Sequence, residues 1–115
     1  FSLQNTNKVE FHNVQVNTEI GPSLSASLVG NITINNFKSY TPHNNVAIID
    51  LKNVKDLFLY NAYPVKGTTT YLKLSGAGTE NISIGNNNFR NVKFAIEKTK
   101  DVFEKVDVIS GDKGQ

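Results

Sequence analysis

Apolar anchors recur along this chain at a nearly fixed interval. Val9, Ile32, Leu57 and Ile82 are spaced by 23, 25 and 25 residues, and Val102 follows after 20 more. Each of the first four opens the same short phrase, in which two apolar residues separated by one precede an asparagine. Those asparagines are Asn13, Asn36, Asn61 and Asn86. A period of this size belongs to a solenoid, whose unit is too small to bury its own apolar face and must stack on its neighbours.

Within each unit the apolar residues alternate with polar ones, as on a strand with one buried face. Phe1, Leu3, Val9 and Phe11 keep one phase, which shifts across Asn13-Val14. The block from Ile49 repeats this two units on: Ile49 falls with Phe1, Leu51 with Leu3, Asn53 with Asn5, Leu57 with Val9 and Asn61 with Asn13. Phe94 and Ile96 begin the pattern again. The units are too short for the crossover helices of a βαβ fold. A weak helical hint in Glu97 to Lys105 yields to strand on the same alignment. The expected fold is all-β: a single-stranded parallel β-helix of about five coils over residues 1–115, advancing roughly 4.8 Å per coil.

Composition narrows the function classes. Hydrophobic residues are 38% and charged residues 19% of the chain, so uncharged polar residues, asparagine above all, fill the difference. The net charge is +2 with signs interspersed, and Arg90 is the only arginine. That argues against a nucleic-acid interface, which draws on clustered arginine. No apolar run is long enough for a membrane span, and no stretch of this sequence has the basic head and apolar core of a signal peptide. Cysteine is absent, which excludes disulfides and thiolate metal sites. Without methionine, the chain reads as a mature product, an excised domain or a piece of something longer.

Asn13, Asn36, Asn61 and Asn86 have a structural explanation, because asparagine tolerates left-handed corners and bonds nearby backbone. Stacked amides can also bond along the axis. A corner ladder inside the fold is therefore expected, with Asn35, Asn87 and Asn88 exposed beside it. Departures from the period at 18–25, 39–45, 63–70 and 75–79 are rich in Gly, Pro, Ser and Asn. Such insertions usually share one face of a solenoid, often the binding face.

The phrases Asn53-Val-Lys-Asp56-Leu-Phe-Leu-Tyr60-Asn61 and Glu80-Asn81-Ile82-Ser-Ile84-Gly-Asn86-Asn87-Asn88-Phe89 resemble coils of the right-handed parallel β-helix, or pectin-lyase-like, family. The resemblance runs from Phe1 to about Ile109, and in style is nearest to polygalacturonase-like glycoside hydrolases. It implies a secreted, surface or periplasmic protein acting on polysaccharide. The motifs of that group (Asn-Thr-Asp, Asp-Asp, Gly-His-Gly and Arg-Ile-Lys) are missing, and Asn5-Thr6-Asn7 only echoes the first. The expectation is a non-catalytic scaffold segment, C-terminal or internal in a larger domain, whose catalytic acids lie elsewhere. Its open ends would meet remaining coils or another chain. The alternative is a structural or adhesive glycan-binding repeat protein.

No residue is assigned a catalytic, cofactor or metal role. Asp50 and Asp56 are the most plausible isolated acids. The coil alignment puts Asp56 and Asp101 in equivalent places two coils apart, about 9 to 10 Å, a marginal separation for an inverting pair. His12 should point outward and His43 sits in a loop, without a third ligand or metal motif. Arg90 is a weak candidate for lyase chemistry, and a calcium site built from backbone carbonyls leaves no motif. Tyr40, Tyr60, Tyr63 and Tyr71 are potential sugar-stacking rings. Asn31-Ile-Thr33 and Asn81-Ile-Ser83 match the glycosylation acceptor pattern.

Overall fold

The structure, a computed structural model, describes residues 1–102 and 107–108. Those residues form seven strands: β1 (Ser2–His12), β2 (Leu24–Asn35), β3 (Ile49–Tyr60), β4 (Thr70–Ser75), β5 (Glu80–Gly85), β6 (Phe94–Lys98) and β7 (Asp107–Val108). Every pairing is parallel. β1 pairs with β2 and β2 with β3; β4 and β5 then lie on the two halves of β3, and β6 and β7 lie on β4 and β5. Five strand layers thus enclose about four turns of a parallel β-solenoid, close to the coil count read from the sequence.

The register places Val9, Ile32, Leu57 and Ile82 in one column, as the anchor spacing requires. The fifth anchor is corrected. Ser83 pairs with Asp107 and Ile84 with Val108, so Val102 does not follow Ile82 in this column. Val102 is buried in the core after a turn in which its amide donates to the Thr99 carbonyl at 3.1 Å. Residues 94–98 are strand, whereas 103–105, within the stretch with the helical hint, lie outside the described residues.

The long strands bend at residues in left-handed geometry. Three columns carry positive φ: Asn5, Leu28 and Asn53; Lys8, Asn31, Asp56 and Asn81; and Asn13, Asn36, Asn61 and Asn86. Among the described residues, nine of the twelve non-glycine residues with positive φ are asparagine. Much of the asparagine content therefore serves corners, where its side chain lowers the steric cost of this backbone region.

The last column bonds along the axis. Asn36 Nδ2 donates to Asn13 Oδ1 at 2.9 Å, and Asn86 Nδ2 donates to Asn61 Oδ1 at 2.6 Å. The middle rung slips by one residue, with Asn61 Nδ2 donating to Asn35 Oδ1 at 2.9 Å. The ladder stands on the outer side of the corner rather than inside the fold, with Asn13 and Asn86 exposed. Around Asn36, Asn61 and Asn86 the inward residues on both sides, such as Leu59 and Ala62 around Asn61, are buried, which leaves the corner side chain outside.

Asn87 is the inward asparagine, against the expectation that it is exposed. It follows Asn86 in the place that Phe37 and Ala62 occupy in earlier coils, and is buried. Its amide oxygen accepts the Ala62 N–H at 2.8 Å, supplying the partner that a buried backbone donor requires. Asn35 and Asn88 are half-buried.

Inward columns of Leu, Ile, Val and Phe fill the coil, with Leu24, Ile32, Ile34, Leu51, Leu59 and Leu72 fully buried. Phe11 and Phe37 meet edge to face at 5.9 Å. Three of the four period-breaking segments, around 18–25, 39–45 and 63–70, stack on one another. Tyr40 N donates to Asn17 Oδ1 at 2.8 Å, and Thr69 Oγ1 donates to Asn44 Oδ1 at 3.1 Å. The fourth, at 75–79, lies elsewhere. It places four residues, 76–79, where β3 has two, Asn53 and Val54, between registered positions. Asn53 Oδ1 accepts the Gly78 N–H at 3.0 Å and stitches this turn to the coil before it.

Candidate functional site

The parallel register sorts outward side chains into rows along the axis. One row is Glu10, Thr33, Phe58 and Ser83; the next is His12, Asn35, Tyr60 and Gly85. Phe58 and Tyr60, two residues apart on β3, stack with centroids 4.7 Å apart and planes at 19°. Phe58 is 40% exposed, although a large apolar ring on a solvent face leaves its surface in water. Stacking engages one face of Phe58. Its flank lines a groove of about 300 Å³ with Asp56, Leu57, Asn81 and Ser83. A second depression of about 340 Å³, lined by Lys8, Glu10, Asn31, Thr33 and Asp56, shares the Asp56 wall. Together they form a shallow furrow between a corner column and the Phe58 row.

Small neighbours keep the aromatic pair accessible. Ser83 stands beside Phe58 and Gly85 beside Tyr60 on the following layer. Polar groups around the pair are fixed. Asn35 Nδ2 donates to His12 Nδ1 at 3.0 Å, so the network assigns the ring proton to Nε2, which donates to Glu10 Oε1 at 2.6 Å. Asn81 Nδ2 donates to Asp56 Oδ1 at 2.6 Å. The furrow thus offers an aromatic face, amides, hydroxyls and carboxylates in fixed places.

A separate cleft of about 380 Å³ includes Asp50, Lys73, Glu97, Asn45, Val46 and Thr69. Asp50, Lys73 and Glu97 occupy one register position on β3, β4 and β6. Glu97 is exposed and accepts from the Thr70 hydroxyl. A general acid in glycoside hydrolysis needs a sequestered carboxyl, and this one faces water.

The other candidates separate. Asp56 and Asp101 are not equivalent: Asp56 falls with Asn81 on β5, whereas Asp101 belongs to the turn after β6. There its Oδ1 accepts the Gly76 N–H at 3.2 Å. The hydroxyl of Thr99 and then the Gly76 amide hold this carboxyl below the usual carboxylate range. These hydrogen bonds make Asp101 an anchor of its turn. The alignment erred because the turns at 76–79 and 99–101 alter the period.

His12 points outward as expected, whereas His43 is buried. His43 Nδ1 donates to the Thr41 carbonyl at 2.8 Å, and Nε2 lies 3.0 Å from Thr18 Oγ1, pinning one loop to the next. The two histidines serve different segments, and among the described residues no three His, Asp or Glu side chains converge. Arg90 is exposed and its Nε donates to Asn88 Oδ1 at 3.2 Å. Asn31 and Asn81, the glycosylation acceptors by pattern, are left-handed corner residues whose amides bond to Asn7 and Asp56.

Of the tyrosines, Tyr40, Tyr60 and Tyr63 face outward, but Tyr71 does not. It is a core residue whose hydroxyl donates to the Phe37 carbonyl at 2.8 Å. Burial pushes its phenol well above the usual range. Phe58 is the site residue that sequence reasoning passed over. Its signal was present, since alignment with Glu10 gives an aromatic residue in the outward phase. Comparison with protein families, curated proteins and solved structures gives no match.

Proposed function

We propose that these coils are a non-catalytic, glycan-binding stretch of β-solenoid, a scaffold that holds a neutral polysaccharide outside the cell. The observation that carries this reading is the stacked Phe58–Tyr60 pair beside a furrow of amides, hydroxyls and carboxylates. A sugar ring offers an apolar C–H face and a rim of hydroxyls, and this surface offers an aromatic plane and hydrogen-bonding groups to match. The furrow is shallow and open, which suits a segment of polymer. Its charges, Lys8 against Glu10 and Asp56, do not suit a polyanion such as nucleic acid. Where the whole molecule degrades polysaccharide, we place the catalytic acids in other coils and assign binding to this stretch.

Affinity electrophoresis through gels containing xylan, galactomannan or polygalacturonate tests the reading. The wild-type chain is expected to be retarded by a neutral polysaccharide and to release no sugar from it. Phe58→Ala, an exposed change that leaves the circular dichroism spectrum intact, is expected to abolish the retardation. Unretarded migration of the wild-type chain in every gel, or equal retardation of Phe58→Ala, overturns it.

A further inference from the structure

The exposed aromatic residues do not continue along the solenoid axis. Among the described residues, the other positions in the Phe58 row are Glu10, Thr33, Ser83 and Asp107, and in the Tyr60 row they are His12, Asn35 and Gly85. They continue instead around one coil. Tyr63 follows Tyr60 past the Asn61 corner and is 54% exposed. Tyr40, on the loop one coil earlier, is 57% exposed. These two rings line a common hollow of about 300 Å³ with Lys38, Pro64, Val65 and Asn91.

The corner residue between the two aromatic surfaces, Asn61, is half-buried. Asn61 donates to Asn35 and accepts from Asn86, so its amide is tied into the ladder along the axis. Gly85 leaves the flank of Tyr60 uncovered on the next layer. From Phe58 to Tyr63 is five residues, at most roughly 16 Å of extended chain. That span is within reach of a single oligosaccharide.

We infer that the glycan chain runs around the coil, across the axis, from the Phe58 furrow over Tyr60 and past Asn61 to the Tyr40–Tyr63 hollow. The site is then two aromatic platforms joined by one ligand, and it selects by chain length. A short sugar fills the Phe58 platform alone. A longer one engages both, and the second contact is gained at high effective concentration. The hollow has its own polar groups: the Lys38 ammonium, and the Pro64 carbonyl, which accepts from Asn91 Nδ2 at 3.2 Å.

This inference rests on the glycan-binding reading, and one titration series separates the two. Xylo- and manno-oligosaccharides from disaccharide to octasaccharide are titrated calorimetrically into the wild-type chain, Phe58→Ala, and the double variant Tyr40→Ala/Tyr63→Ala. In the wild type, affinity is expected to rise by about tenfold or more with length. In the double variant the rise disappears while the affinity for the shortest binding sugar is retained. Phe58→Ala lowers affinity at every length. A rise that persists in the double variant overturns the wrapped path and leaves the Phe58 platform standing. Absence of binding by the wild type at all lengths overturns both. The Tyr40 and Tyr63 rings are largely exposed, so their removal leaves the fold, read by thermal melting, unchanged.

Discussion

The Tyr71 hydroxyl donates to the Phe37 carbonyl at 2.8 Å, joining two residues 34 positions apart inside the coil. Tyr71 sits on β4, and Phe37 follows the Asn36 corner after β2. The bond supplies a partner for a phenol that is otherwise surrounded by apolar side chains. Removal of the hydroxyl by Tyr71→Phe is expected to lower stability by about 1 to 2 kcal/mol in urea unfolding, since a buried carbonyl loses its donor.

The same burial gives an alkaline limit. The phenol is held neutral in the folded chain to higher pH than in the unfolded one. The unfolded state therefore releases its proton first, and stability falls as pH rises above about 10. Below that pH both states are protonated and the contribution is constant. Unfolding midpoints measured on either side of pH 10 should show the fall in the wild type and a smaller one in Tyr71→Phe.

Asp101 acts at the other end of the scale. Its carboxyl is depressed in the folded chain by Thr99 and the Gly76 amide, so its contribution is present above the unfolded value of about 4 and fades as pH falls below it. Asp101→Asn keeps an acceptor for Gly76 and removes the titration. The wild-type melting temperature is expected to drop between pH 5 and pH 3 by more than that of Asp101→Asn, as read by differential scanning calorimetry.

Gly76 has φ +96, and a Cβ there would overlap the Asn53 side chain. Gly76→Ala combines a strained backbone with a clash against a corner that is itself fixed by Gly78. A loss of about 2 to 4 kcal/mol is expected, with the chemical-denaturation midpoint as the readout. A neutral result would mean that the 75–79 turn can repack without its tie to Asn53.

Leu28 is the opposite case, a side chain that gains from replacement. It holds φ +56 in a column whose other members are asparagine, and it is half exposed. Leu28→Asn is expected to raise stability by about 0.5 to 1 kcal/mol, because asparagine tolerates this geometry and little packing is lost. Thermal melting checks the sign.

The anchors were legible because each apolar column is filled by residues of one kind at one spacing. The Asn13 column was legible for the same reason. The column of Lys8, Asn31, Asp56 and Asn81 was hidden, since four corners of the same geometry carry three residue types. Asn87 was misplaced because composition cannot tell an amide that bonds backbone from inside a coil from one that faces water. Asp101 and Val102 were misregistered by turns that change the length of a unit without changing its character. At the furrow, Tyr60 was found by its outward phase, and Phe58 was overlooked although it shares that phase.

The ladder contacts have one further consequence, for how the chain assembles. Asn13–Asn36, Asn61–Asn86 and Asn53–Gly78 join positions 23, 25 and 25 residues apart. Closing any one of these loops costs nearly the same chain entropy, because that cost depends only on the logarithm of loop length. No layer is favoured by proximity in sequence, so the order of formation follows the quality of the pairing. The long register of β2 on β3, held at one offset from Leu24 to Asn35, is the best nucleus. Growth from it is a zipper with one repeated step, in which each completed coil presents the strand edge on which the next one forms.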